Sequence, residues 1–180
     1  MRRLWIIIGF LLLALPSWAG NVTIKKVQLI NMGSEYPCLK VELDGLFFPR
    51  LKEALLGGVS IPIDYTVTIK KPRSVLWDPT LWKGVYCRVI KYNLLTETFT
   101  IKDPPELERE FSDFQRFSQE SLVFLMPLPP KPLKVKGAYV EVKAHRMYES
   151  HFFPLDFISH LLFPSPSDFQ TNKMRVKAHK

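Results

Sequence analysis

The chain has 180 residues and carries 25 Lys and Arg against 17 Asp and Glu, a formal net charge of +8. Hydrophobic residues make up 47% and charged residues 23%, which excludes the disordered and fibrous classes. A chain of this length suits one domain with a core of its own.

The first residues are of a different kind from the rest. Met1-Arg2-Arg3 is basic, Leu4 to Leu15 is an unbroken apolar run, and Pro16 is followed by Ser17-Trp18-Ala19. That order is the pattern of a secretory signal peptide, with cleavage expected after Ala19. The competing reading is an uncleaved anchor, but a bilayer-spanning helix needs roughly 20 apolar residues and this run is shorter. The expected organisation is therefore a signal peptide over residues 1–19 and a single exported β-rich domain over 20–180, with 165–180 as a basic tail. Without Arg2 and Arg3 the charge falls from +8 to +6, and the mature protein stays basic. Nucleic acid is excluded as a partner by export. Anionic lipid headgroups, sugar-acid polymers and acidic protein faces match the charge.

Val22 to Ile30 reads as a strand whose alternation is broken at Lys25-Lys26, which predicts a bulge. Leu39, Val41 and Leu43 alternate with Lys40, Glu42 and Asp44, a strand with one buried face. Pro49 suits the first turn of a helix with Leu51, Ala54 and Leu55 as its stripe, stopped by Gly57-Gly58. Ile61 to Lys70 is the clearest strand, alternating without a break. A loop follows from Arg73 to Gly84, then a strand from Val85 to Tyr92. A turn at Leu94 to Glu97 and a strand from Thr98 to Lys102 complete a hairpin.

Asp103, Pro104 and Glu106 form a capping-box pattern. It predicts one long helix with Leu107, Phe111, Phe114, Ser118, Leu122 and Leu125 on one face. Met126 to Pro132 reads as an extended connector and Leu133 to Arg146 as a strand. Phe153 to Phe163 reads as a short helix, and Met174 to Lys177 as a last strand. The expected fold is mainly β, an antiparallel two-layer sandwich of about seven strands with two or three packed helices.

Motifs for catalysis and metal binding are absent, and no cofactor is expected. His145, His151 and His160 lack the paired spacing of structural zinc sites. Glu106, Glu108 and Glu110 are explained by the helix dipole rather than by acid–base chemistry. The residues richest in recognition chemistry are Arg73, Trp77, Asp78, Trp82, Arg88 and Tyr92, since Arg and Trp dominate recognition surfaces. A ligand- or partner-binding patch of Arg73, Trp77, Asp78, Arg88 and Tyr92 is one reading. In the other, Asp78 pairs with Arg88 and Trp77 plugs the end of the sandwich. Cys38 and Cys87 would close a loop of about fifty residues, worth roughly 4 kcal/mol if bridged. Against a bridge, Cys38 is out of phase with Leu39, Val41 and Leu43, whereas Cys87 could line the core with Val85 and Val89.

Ala54-Leu55, Gly58, Ile61-Pro62-Ile63, Arg73, Trp77-Asp78, Arg88, Tyr92, Leu95-Thr96 and Phe99 come in an order that resembles a bacterial family of exported proteins known as a domain of unknown function. Phe153-Pro154-Leu155 is similar to that family's Leu-Pro signature. The resemblance implies an envelope-facing protein and supplies no reaction. It also hints at signalling, because members often accompany a membrane sensor kinase. The functional expectation is a non-catalytic binding or scaffolding protein of the cell envelope, in the periplasm. Its partner would be an envelope protein or an anionic envelope component, with the membrane surface as a further contact. The alternatives are a periplasmic hydrolase acting on glycan or peptide, and a sensor or adaptor for a membrane kinase.

Overall fold

The structure, a computed structural model, describes residues 22–32, 35–73, 77–104, 107–146 and 169–178. The expected signal peptide over residues 1–19 and the segment predicted as a helix from Phe153 to Phe163 lie outside the described residues. No described helix is long and apolar enough to cross a membrane.

The fold is an antiparallel β-sandwich. Its smaller sheet holds β1 (Thr23–Ile30), β2 (Cys38–Asp44) and β7 (Val123–Pro127) in that order. The larger sheet is built on β3 (Ile61–Lys70), β4 (Thr80–Asn93), β5 (Thr98–Asp103) and β6 (Leu107–Phe111), paired in sequence as a meander. On the other side of β3 lie β8 (Tyr139–Arg146) and then β10 (Met174–Lys177), with β9 (Phe169–Gln170) also pairing with β8. Among the described residues three helices join them: α1 (Pro49–Leu56), α2 (Phe114–Leu122) and α3 (Pro130–Leu133). Ten strands are thus present among the described residues, where about seven were expected.

Strict alternation decides which face is covered. Leu39, Val41 and Leu43 of β2 are buried, as are Ile61, Ile63, Tyr65, Val67 and Ile69 of β3. These two sets meet between the sheets, where the Tyr65 ring lies 4.8 Å from that of Phe124. Each such aliphatic side chain contributes about 1.5–3 kcal/mol by leaving water. The bulge foreseen at Lys25-Lys26 is present, as a register shift between Ile24 and Lys26. Helix α1 ends as its glycines suggest, with Gly58 at a φ of 81°.

The long helix beginning at Asp103 does not form. Residues Leu107–Phe111 are a strand instead, with Phe99 opposite Phe111 and Asp103 opposite Leu107. Leu107 and Phe111 are four apart, a spacing that fits one helix face and also one strand face. Tertiary pairing with β5 settles the matter, because it packs the half-buried Phe111 against Phe117. The carboxylate of Asp103 serves an ion pair rather than a cap. The true cap is Asp113, whose side chain accepts from the Arg116 amide at 2.8 Å.

Two further expectations change. Strand β4 begins at Thr80, so the preceding loop is shorter than Arg73 to Gly84. The inward phase of β4 is Tyr86, Arg88 and Ile90, while Val85 and Cys87 face outward. Gly84 sits on that inward phase because the Trp82 indole lies across it. A Cβ there would stand 2.3 Å from the ring.

The two ends of the described chain meet. Asn172 Oδ1 accepts from the Ile24 amide at 2.7 Å, and its Nδ2 donates to the Ile24 carbonyl at 3.4 Å. Nearby, the Thr171 amide donates to the Ala144 carbonyl at 2.9 Å. These contacts lock the first strand of the small sheet to the last strands of the large one.

Candidate functional site

The five residues proposed as a recognition patch fall in three places. Arg88 is buried at 1% exposure between the sheets. Its Nε and Nη2 donate to Asp103 Oδ1 and Oδ2 at 2.6 and 3.0 Å. Nη1 donates to the carbonyls of Ser121 and Val123, both at 2.9 Å, and so ties off the end of α2. Asp103 is shared with Arg109, which also holds Glu120. This is a structural centre: every charge in it is met by an opposite one. Tyr92 is also structural, its ring 4.6 Å from Phe99 within an aromatic cluster that includes Phe117.

Arg73, Trp77 and Asp78 stay together at the loop between β3 and β4. Asp78 does not reach Arg88. Its Oδ1 accepts from the Arg73 amide at 2.8 Å, and its Oδ2 from the Tyr139 hydroxyl at 2.5 Å. The Tyr139 hydrogen bond and then the Arg73 amide hold the Asp78 carboxyl below its usual range. Burial, followed by the Asp78 hydrogen bond, pushes Tyr139 up to about 12. Trp77 does not plug the sandwich; it is 89% exposed.

Beside this loop, on the outer face of the larger sheet, is a charge cluster that the reading of the sequence missed. Glu141 projects from β8 at only 4% exposure. Its Oε2 lies 2.9 Å from Lys70 Nζ and 2.7 Å from Lys173 Nζ. Arg175 Nε stands 2.7 Å from Oε1 as an ion-pair contact rather than an aligned hydrogen bond. Burial alone would raise the pKa of Glu141, but the hydrogen bonds and charges of Lys173 and Lys70 outweigh it and hold the carboxyl below its usual range. The Arg175 guanidinium lies over the Tyr139 ring at 5.2 Å, so the cluster and the loop are one assembly.

The cluster floors an open cleft of about 290 Å³. Lys70, Lys83, Lys143 and Lys173 line it against the single carboxylate of Glu141, and Thr66, Thr68 and Thr80 supply hydroxyls. A second depression, of about 380 Å³, lies over Arg109, Arg116, Glu110 and Glu120. There two cations face two carboxylates, so it is self-neutralised. The first cleft carries an excess of positive charge and is the better candidate site. Thr66, Thr68 and Lys70 were visible in the sequence as the polar phase of β3. Lys173 and Arg175 were hidden in what reads as a basic tail.

Cys38 and Cys87 are not joined by a disulfide. Cys38 lies in the small sheet opposite Pro127 and donates to the Tyr36 carbonyl at 3.6 Å. Cys87 lies opposite Asp64 on the outer face of the other sheet. Among the described residues no group of three or more His, Cys, Asp or Glu is placed to hold a metal.

Fold and site together define a β-sandwich with a basic, open cleft on the outer face of its larger sheet. Residues 19–122 match the family described as a domain of unknown function, DUF4390, and the chain belongs to that family. No curated protein and no solved structure matches the chain.

Proposed function

We propose that this protein is a non-catalytic binding or scaffolding protein of the bacterial cell envelope, and that the cleft at the Lys70 end of its larger sheet holds an anionic envelope component. The observation that carries this reading is the Glu141 cluster. One nearly buried carboxylate fixes Lys70 and Lys173 in place, so two of the cleft's cations are positioned before any ligand arrives. Pre-positioned charge lowers the ordering cost of binding and raises the association rate. Glu141 is held ionised, the opposite of what a general acid needs, which supports binding over hydrolysis at this site. Export follows from the basic–apolar–small pattern of residues 1–19.

The test uses mature protein crosslinked in intact envelopes, with the captured material identified. Recovery of an anionic component, released by moderate salt and lost in Lys83→Glu/Lys143→Glu, supports the reading. Unchanged capture by that variant sinks it. Mass spectrometry of protein from the source cells tests export separately, with an N-terminus at Gly20 as the expected result and retention of residues 1–19 as the contrary one.

A further inference from the structure

Three residues before Thr80, which lines the cleft, the chain carries a residue that the charge cluster does not explain. Trp77 leaves an indole 89% exposed, an unfavourable arrangement for so large an apolar group. Its loop is not loose at that point. Asp78, the next residue, is tied by its carboxylate to the Arg73 amide and the Tyr139 hydroxyl, and the Lys71 amide donates to the Pro79 carbonyl at 3.2 Å. Two residues beyond Asp78, Thr80 lines the cleft. An exposed indole thus stands next to a tied aspartate, three residues along the chain from a basic, hydroxyl-lined depression.

We propose that Trp77 and this cleft together form a subsite for an acidic glycan, a reading that rests on the anionic-ligand function above and names its chemistry. The indole supplies a stacking face for the apolar side of a sugar ring, and aromatic side chains bury large areas at low conformational cost. Lys83, Lys143 and Lys173 meet the carboxylate of that ring or its neighbour. Thr66, Thr68 and Thr80 match sugar hydroxyls, which both donate and accept. The cleft, at about 290 Å³, sits at the low end of ligand sites, roughly 300–1,000 Å³. That is room for a ring-sized group rather than a folded partner. The site is open rather than enclosed, so a bound ring can belong to a longer chain.

The experiment is titration calorimetry of the mature protein with three probes: tetragalacturonic acid, its methyl ester, and vesicles containing phosphatidylglycerol. The expected result is binding of the free acid and much weaker binding of the ester. Trp77→Ala should weaken the acid roughly tenfold without lowering the melting temperature, a stacking contribution on the usual scale. Lys83→Glu/Lys143→Glu should weaken it by at least as much, with the largest loss at low salt. Full affinity in Trp77→Ala, or binding to vesicles but not to the oligosaccharide, overturns the glycan assignment and leaves the anionic site standing. Equal binding of acid and ester, or binding of neither the acid nor the vesicles, overturns both.

Discussion

Arg88 and Asp103 form a two-point ion pair between the sheets, with Nε 2.6 Å from Oδ1 and Nη2 3.0 Å from Oδ2. Because Arg88 also caps the carbonyl end of α2, the pair joins β4, β5 and the helix at one point. Arg88→Leu leaves Asp103 buried with only Arg109 and frees the helix carbonyls. The expected loss is about 3–5 kcal/mol by urea denaturation. The double variant Arg88→Leu/Asp103→Leu should recover a substantial part of it, since no buried charge then lacks a partner.

Two tryptophans near one another in sequence should respond in opposite ways. Trp77→Ala removes an exposed side chain and should change stability by less than about 0.5 kcal/mol. Gly84→Ala places a methyl carbon 2.3 Å from the edge of the Trp82 ring and forces the indole to shift off the core, at about 1–3 kcal/mol. Thermal melts of the two variants suffice. A large loss in Trp77→Ala would mean that the indole packs in solution.

The strand pattern could be read wherever one face is fully buried. Ile61 to Ile69 and Leu39 to Leu43 alternate strictly, and the structure keeps both. The reading fails where the apolar residues fit two periods, as at Leu107 and Phe111, because only pairing with β5 distinguishes strand from helix. It fails for the site for a different reason. Lys70, Glu141 and Arg175 are far apart in sequence, and each looks like an ordinary solvated residue. They become a site only when β3, β8 and β10 lie side by side. Conversely, Arg73 to Tyr92 looked like a patch because its residues are close in sequence, while β4 sends Arg88 inward and Tyr92 into the aromatic cluster.

Cys38 and Cys87 lie on different sheets, with Cys87 turned away from the small one. Alkylation under denaturing, non-reducing conditions should therefore modify both thiols. A mass showing no modification until reductant is added would mean that β4 is rotated from the phase described for Tyr86, Arg88 and Ile90.

The cluster and the loop should set opposite pH limits. Glu141 is depressed below 4.5 in the folded state. The unfolded chain therefore takes up its proton first as pH falls, and the stability it contributes is present above that value and lost below it. Glu141→Gln should flatten the acid limb of the urea midpoint between about pH 5 and 3. Tyr139 is raised from 10.0 to about 12, so its contribution is complete below pH 10.0 and disappears as pH climbs through the folded value. Burial also raises Tyr65 and Tyr86, so phenolate absorbance should show several late-titrating tyrosines, of which Asp78→Asn brings one down.

The clasp between Ile24 and Asn172 also bears on when the protein can fold. Its two partners are separated by 148 positions, and β2 must wait for β7, since Leu39 pairs with Met126. Pairings between distant segments slow folding, toward milliseconds to seconds rather than microseconds. The meander of β3 to β6 can assemble from neighbouring segments, but the smaller sheet has no complete partner set until the late strands have emerged. A chain built this way stays pliable through most of its synthesis and becomes rigid only after nearly all of it is available.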